Sequence, residues 1–441
     1  MDAVLLSRIQ FGLAAGFHFI FPPLTLGLTL IIVIFESMFY KTNEDLYKSI
    51  SSFFIKILAL IFALGVATGI VLEFSFGTNW SEYSRMVGDI FGAPLAAEGI
   101  FAFFLESVFL GVLLFGRKKV SRGFYLFAAI MVFLGAHLSA LWILIANSWM
   151  QTPAGFVIEG GRAVMTDFFA AIFNPSTFVR FFHVVVAAWI TGTLFTAGIS
   201  AWYLLKDRHV AQSKKVIKVS LAIFISMAIL QFVSGHIHSV QVTQLQPEKM
   251  AAFEALWETT KGAPMSVIGI PIADEQKTYF EIKIPKLLSL LAYFDPNAEV
   301  KGLNAFPRDE WPPVMLPYFS YHIMIGLGTL FALMAIIGGI LMARRKLESA
   351  RWFLWALVLA IPLPHLANQF GWIAAEVGRQ PWAVYRVLKT SAAASIVVPA
   401  GQILFTLLMF FAIFTLLLVL FIFILLKLIE KGPQTGDEAG Y

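Results

Sequence analysis

Cysteine is absent from all 441 residues. That excludes thiolate-ligated metals, iron–sulfur clusters, covalently attached c-type haem and disulfides. Exposed loops must hold their shape by other means. Charge is scarce as well: charged residues are 13% of the chain, and a net charge of +5 gives no reason to expect a nucleic-acid partner. There is no glycine-rich phosphate loop, no dinucleotide fingerprint and no convincing internal repeat.

Apolar surface is what the chain has in abundance. Hydrophobic residues make up 59% of it, and the mean hydropathy is +0.80. Stretches long enough to cross a hydrocarbon core as helices fall near 12–36, 52–75, 94–116, 124–148, 181–205, 216–240, 314–342, 352–372 and 398–428. The expected fold is an all-α polytopic membrane protein, one membrane domain over 1–441 with nine transmembrane helices. The first stretch is too long for a signal-peptide core and carries His18 and Pro22-Pro23, so it is read as a helix.

Basic residues mark every second loop. They are Lys41 and Lys48; Arg117, Lys118, Lys119 and Arg122; Lys206, Arg208, Lys214, Lys215 and Lys218; Arg344, Arg345, Lys346 and Arg351; and Lys427 and Lys431. The positive-inside rule places all of these in the cytoplasm, which puts the N-terminus outside and the C-terminus inside. An odd number of spans agrees. The long segment 241–312 then lies outside. A structureless loop of that length is uncommon, and 247–259 reads as an amphipathic helix with Met250, Phe253, Leu256 and Trp257 on one stripe.

Polar residues inside the spans acquire depths from this topology. Glu376 and Arg379 lie in the run 371–382, where a buried helix ends between Trp372 and Trp382. A carboxylate there is costly unless a cation, a metal or a proton pathway holds it. Arg379, about one turn on, can neutralise it or clamp another anion. His18, Glu98, His183, Met324 and Glu376 come from five helices yet share the outer half of the membrane. Independent structural residues would scatter in depth, so the convergence points to a buried metal or cofactor site. Singly, each is weak: an intramembrane histidine is often a helix–helix hydrogen bond, and Met324 is one of 14 methionines. His and Met together are an axial pair for a low-spin haem, whereas a His or carboxylate with an open position suits a high-spin one.

Glu98 and Glu106 lie a little over two turns apart, facing within about 80° of each other and separated by roughly 12 Å. They read as steps of a proton path, to which His137, Ser139 and Asn147 of the fourth span could add. The competing view is cross-helix pairing without chemistry. A secondary transporter with the glutamates as coupling sites is the alternative from another class; a non-catalytic haem anchor is a third. The eight histidines offer neither two helices with histidine pairs four turns apart nor an adjacent His-His pair. Those patterns belong to cytochrome b of quinol–cytochrome c reductases and to haem–copper oxidases.

The chain resembles subunit I of cytochrome bd-type quinol oxidases, of the branch with a short quinol loop. The matches are Leu6-Ser7-Arg8-Ile9-Gln10-Phe11 with His18, Phe76-Gly77-Thr78-Asn79-Trp80, and Gly92-Ala93-Pro94-Leu95-Ala96-Ala97-Glu98-Gly99 running into Phe104-Leu105-Glu106-Ser107. The stretch 141–151 and the 371–382 run complete them. This resemblance implies a low-spin haem b, a high-spin haem b and a haem d, or a further haem b in its place. It implies His183 and Met324 as low-spin ligands, His18 and Glu376 as ligands of the high-spin haems, and Glu98 beside the oxygen-reducing haem. Glu106 and Asn147 match proton-path positions, and Lys249 and Glu254 match quinol-binding positions in the outer loop. Also implied are a subunit II, a small single-helix subunit, membrane quinol and O2, and residence in the bacterial cytoplasmic membrane. Quinol would be oxidised outside and oxygen reduced to water with cytoplasmic protons, generating proton motive force without pumping. One departure is His322, two residues before Met324, where many relatives would carry an arginine to neutralise haem propionates.

Overall fold

The computed structural model describes residues 2–434. Among the described residues nine helical spans are long and apolar enough to cross a membrane: Ala3–Thr42, Asp45–Thr78, Ser81–Phe115, Arg122–Gln151, Phe168–Leu205, Val210–Leu245, Met315–Ala343, Arg351–Val377 and Ala400–Lys431. The number matches the hydropathy reading because each span must satisfy its own backbone hydrogen bonds in lipid. The boundaries are wider. The third span begins at Ser81 rather than 94, since Glu82, Arg85 and Asp89 lower the local hydropathy without breaking the helix. Its apolar stripe, Tyr83, Val87 and Ile90, is buried, and Asp89 accepts the Met165 N–H at 2.7 Å.

Four spans are interrupted: the fifth between Phe168–Ile172 and Thr177–Leu205, and three others at a residue that explains the break. The first divides into Ala3–His18 and Phe21–Thr42, with Pro22-Pro23 in the first turn of the second half. Proline is tolerated there because the first-turn N–H groups have no helical partner. The eighth divides into Arg351–Leu359 and Leu363–Val377, with Pro364 in the same role. In the third, Pro94 lies inside Ser81–Ala97, and a π-helical turn, Glu98–Phe103, follows before Phe104–Phe115. Such turns insert a residue into the helical ladder and re-aim the side chains beyond it.

The fifth span is the centre of the bundle: 83% of its apolar window is buried, against 11% for the ninth. It meets the first span at a crossing of two glycines, where a Cβ on Gly192 would come within 2.4 Å of the Gly27 Cα. Only glycine on both sides permits that approach.

The loops separate into two ends. At one, Arg117 pairs with Glu36, Lys214 and Lys218 with Glu348, and Arg208 with the Glu430 carbonyl, so the basic loops share this end. At the other, 246–314 folds into a compact cap. It contains helices Pro247–Phe253 and Leu287–Tyr293 and an antiparallel hairpin of Met265–Ile272 with Lys277–Ile284, paired from Met265↔Ile284 to Ile272↔Lys277. The helix expected over 247–259 stops at Phe253, and Ala255 takes a left-handed φ of 47°. It is not amphipathic either. All of Glu248, Lys249, Met250, Ala251, Ala252 and Phe253 are buried, because the cap closes over the side a free surface helix would expose.

Candidate active site at the capped end

Glu376 lies in the last turn of Leu363–Val377, so its side chain is aimed by the second half of the eighth span. Arg379 reaches back one turn and pairs with its Oε2 at 2.6 Å. Oε1 accepts from Asn147 Nδ2 at 3.1 Å and Gln151 Nε2 at 3.0 Å, both on the fourth span, and Arg180 of the fifth lies 3.7 Å away. Arg180 also donates to Asn147 Oδ1, and its guanidinium sits 5.8 Å from the Trp372 ring. Glu376 keeps 31% of its side-chain surface free while Arg180 and Arg379 keep 6% and 5%. The carboxylate is held at its back by cations and amides and remains open at its front.

Gln151 links this cluster to the cap. Its Nε2 donates to Glu376 while its Oε1 accepts from Lys249 Nζ at 2.5 Å. Lys249 donates also to Gln246 Oε1 at 2.5 Å, and Gln246 Nε2 donates to the Gln151 carbonyl at 3.0 Å. Burial, reinforced by the positive charges of Arg180 and Arg379, holds the Lys249 amine well below the ordinary lysine range; Glu376 and Glu248 oppose that shift. Glu248 accepts from Tyr385 Oη at 2.6 Å, and burial followed by this bond raises the Tyr385 phenol.

Glu254 faces the other way. With the helix ended at Phe253, its carboxylate turns to the hairpin and accepts the Ser266 N–H at 2.8 Å. Burial pushes its carboxyl up to about 8; the Ser266 bond works against that and Glu281 adds to it. Ser266 Oγ pairs with Tyr318 Oη at 2.8 Å. His322 lies beside them, with Nε2 2.9 Å from the Ser266 carbonyl and Nδ1 2.8 Å from the Tyr318 carbonyl. It thus ties the seventh span to the cap.

His18 ends the first half-helix, and its Nδ1 lies 2.9 Å from Thr68 Oγ1. His183, two turns into the fifth span after Thr177, places Nδ1 3.0 Å from Ser234 Oγ of the sixth, with the His238 ring 5.4 Å away. Met324 of the seventh span lies against Gly371 of the eighth, where a Cβ would approach the sulfur to 3.0 Å. That glycine opens the 371–382 run.

Glu98 is the first residue of the π turn and accepts from Ser139 Oγ at 2.7 Å. Glu106 is buried against the fourth span, where a Cβ on Gly135 would meet its Cβ at 3.0 Å. Asn147 does not join it. From Gly135 to Asn147 is about 18 Å along the helix at about 1.5 Å per residue, and Asn147 belongs instead with Glu376 and Arg180. His137 is satisfied locally: Nδ1 lies 2.7 Å from the Phe133 carbonyl, and Nε2 accepts the Trp189 Nε1–H at 3.0 Å.

Arg180 and Gln151 are the site residues that sequence reasoning missed. Signals for both were present. Arg180 precedes His183 by three residues and Gln151 follows Asn147 by four, spacings that share a helical face.

The chain matches the family described as cytochrome bd terminal oxidase subunit I over residues 6–433. It is 39% identical to cytochrome bd ubiquinol oxidase subunit 1 of Bacillus subtilis, covering 98% of this chain and 95% of that one. With cytochrome bd-II ubiquinol oxidase subunit 1 of Escherichia coli the identity is 36%, over 98% and 97% of the two chains. The fold matches the structure of bd oxidase from Geobacillus thermodenitrificans with a TM-score of 0.92 and 29% identity, covering 98% of this chain and 99% of that one.

Proposed function

The chain belongs to the cytochrome bd terminal oxidase subunit I family, and on that premise we propose that it couples oxidation of a membrane quinol at its capped end to reduction of O2 to water. As a family member it is the multi-pass subunit of a haem-containing quinol:oxygen oxidoreductase of respiratory electron transport. Membership sets aside the transporter alternative.

The residues present fit haem. A haem needs axial donors and cations for its two propionates. His18, His183, Met324 and Glu376 are donors of the right kind, and Glu376 keeps its open face. Two buried cations, Arg180 and Arg379, gather around the carboxylate of Glu376. Arg180 Nε and Arg379 Nη1 are buried without a partner, as donors awaiting an anion would be. His183 and Met324 would hold the low-spin haem b; His18 and Glu376 would hold the high-spin haem b and haem d (or a further haem b), with Glu98 alongside. Bound there, the haems supply one-electron transfer and the oxygen-reducing iron.

The protein's own side chains do the rest. Lys249 and Glu254 hold the quinol at the cap, with Glu254 able to take up a proton from it. Glu106 and then Glu98 pass protons inward from the basic end, which the charge asymmetry places in the cytoplasm. Electrons and protons then approach from opposite faces, and charge is separated without a pump. The complex would include a subunit II and a small single-helix subunit, in the bacterial cytoplasmic membrane.

The observation that carries this reading is the Gln151 bridge. One side chain joins Lys249 of the cap to Glu376 of the ligand cluster, so quinol and cofactor sites are neighbours. Lys249→Met is expected to lower quinol oxidation by at least about tenfold, equivalent to about 1.4 kcal/mol, while the dithionite-reduced spectrum and carbon monoxide binding stay intact. Parallel loss of haem and activity would refute the quinol assignment.

A further inference from the structure

Two of the candidate iron ligands rest on the same two-residue seat. Thr68 Oγ1 lies 2.9 Å from His18 Nδ1, and its own proton is committed to its helix, donated to the Leu64 carbonyl at 2.8 Å with the Gly65 carbonyl at 3.2 Å. The next residue, Gly69, lies under the ring, where a Cβ would stand 3.3 Å from His18 Cε1. The arrangement recurs between the fifth and sixth spans. Ser234 Oγ lies 3.0 Å from His183 Nδ1 and donates to the Gln231 carbonyl at 3.1 Å. Gly235 follows, with a Cβ position 3.5 Å from His183 Cε1. Both hydroxyl residues are almost fully buried, so no water competes for them.

A hydroxyl whose proton is already donated can only accept. Each Nδ1 must then carry the hydrogen, and each Nε2 is left with its lone pair. The Gln231 amide nitrogen lies 3.2 Å from Nε2 and 3.3 Å from Nδ1 of His183, nearly equidistant, so it packs beside the ring and leaves the outward Nε2 lone pair open. A side chain at Gly69 would push on the His18 ring, whereas the Gly235 position lies at ordinary contact with the His183 ring and bounds its plane. We propose that Thr68-Gly69 and Ser234-Gly235 are positioning residues that fix the tautomer and ring plane of His18 and His183, presenting Nε2 of each to a haem iron. This inference rests on the haem assignment above. A neutral hydroxyl pulls less on the Nδ1 hydrogen than a carboxylate would, so each imidazole stays a moderate donor and favours reduced iron.

The test uses the purified whole oxidase complex. Ser234→Ala should keep its low-spin haem but raise that haem's midpoint potential, by up to about tenfold in the redox equilibrium, about 59 mV for one electron. Ser234→Thr should restore the wild-type value. In parallel, Thr68→Val should lower the iron–histidine stretching frequency of a high-spin haem in resonance Raman spectra, and Thr68→Ser should restore it. Unchanged potential and frequency in the Ala and Val variants would overturn the proposal, as would equal haem loss in the Ala and Thr variants of Ser234, which marks a packing role. The ligand assignment fails separately: a His183→Ala complex that retains its low-spin haem removes the ligand, whatever Ser234 does.

Discussion

Replacing Glu254 with glutamine should change how the stability and activity of the complex depend on pH. In the folded protein one Glu254 oxygen accepts the Ser266 N–H and the other has no partner. Burial raises this carboxyl from an ordinary 4.5 to about 8. A raised carboxyl is protonated in the folded chain and ionised in the unfolded one between those two values. Its contribution is therefore complete below about pH 4.5 and is lost as the pH rises through about 8. At about 1.4 kcal/mol per pH unit the whole gap is worth no more than about 5 kcal/mol. Glutamine has the same shape, keeps an acceptor for Ser266 and does not ionise. Thermal melting of the purified complex from pH 6 to 9 should fall more steeply for the wild type than for Glu254→Gln, with the variant more stable at the alkaline end. Quinol oxidation should rise toward pH 8–9 in the wild type, as the proton-accepting carboxylate forms, and stay low in the variant. Superimposable melting profiles would refute the argument from burial, and full quinol oxidation by the variant would refute the proton role.

Glu106→Gln should slow turnover by about 100-fold or more, the scale of a lost proton-transferring side chain, with the haem spectrum retained; Glu106→Asp should keep part of the rate. No side chain among the described residues bonds the Glu106 carboxylate, so the amide breaks no structural hydrogen bond, and normal turnover would take this residue out of the proton path. For orientation, a reporter fused after Tyr441, a position outside the described residues, should be active only in the cytoplasm, and protease added outside should cut within 260–310. Cleavage confined to inside-out vesicles would reverse every inside and outside assignment made above.

The number of spans and the grouping of basic loops at one end could be read from the chain, because both follow from rules that act locally. A span must be apolar over the thickness of the hydrocarbon and satisfy its own backbone, and lysine and arginine in short loops decide its direction. The Glu376–Arg379 pair was legible for a similar reason: three residues along one helix are neighbours whatever surrounds them. Contacts between helices were not. Arg180 reaches Glu376, and Asn147 joins them rather than Glu106, only because the fourth, fifth and eighth spans cross at that depth. The helix expected over 247–259 ends at Phe253 because the cap that buries it imposes a left-handed turn at Ala255, which no periodicity in that segment encodes. Nor does any spacing announce that Thr68-Gly69 lies beside His18 and Ser234-Gly235 beside His183. The sequence determined how many spans there are and which polar residues they carry. Tertiary structure decided which of them meet, since that depends on the packing angle and the glycine-permitted closeness of helices far apart in the chain.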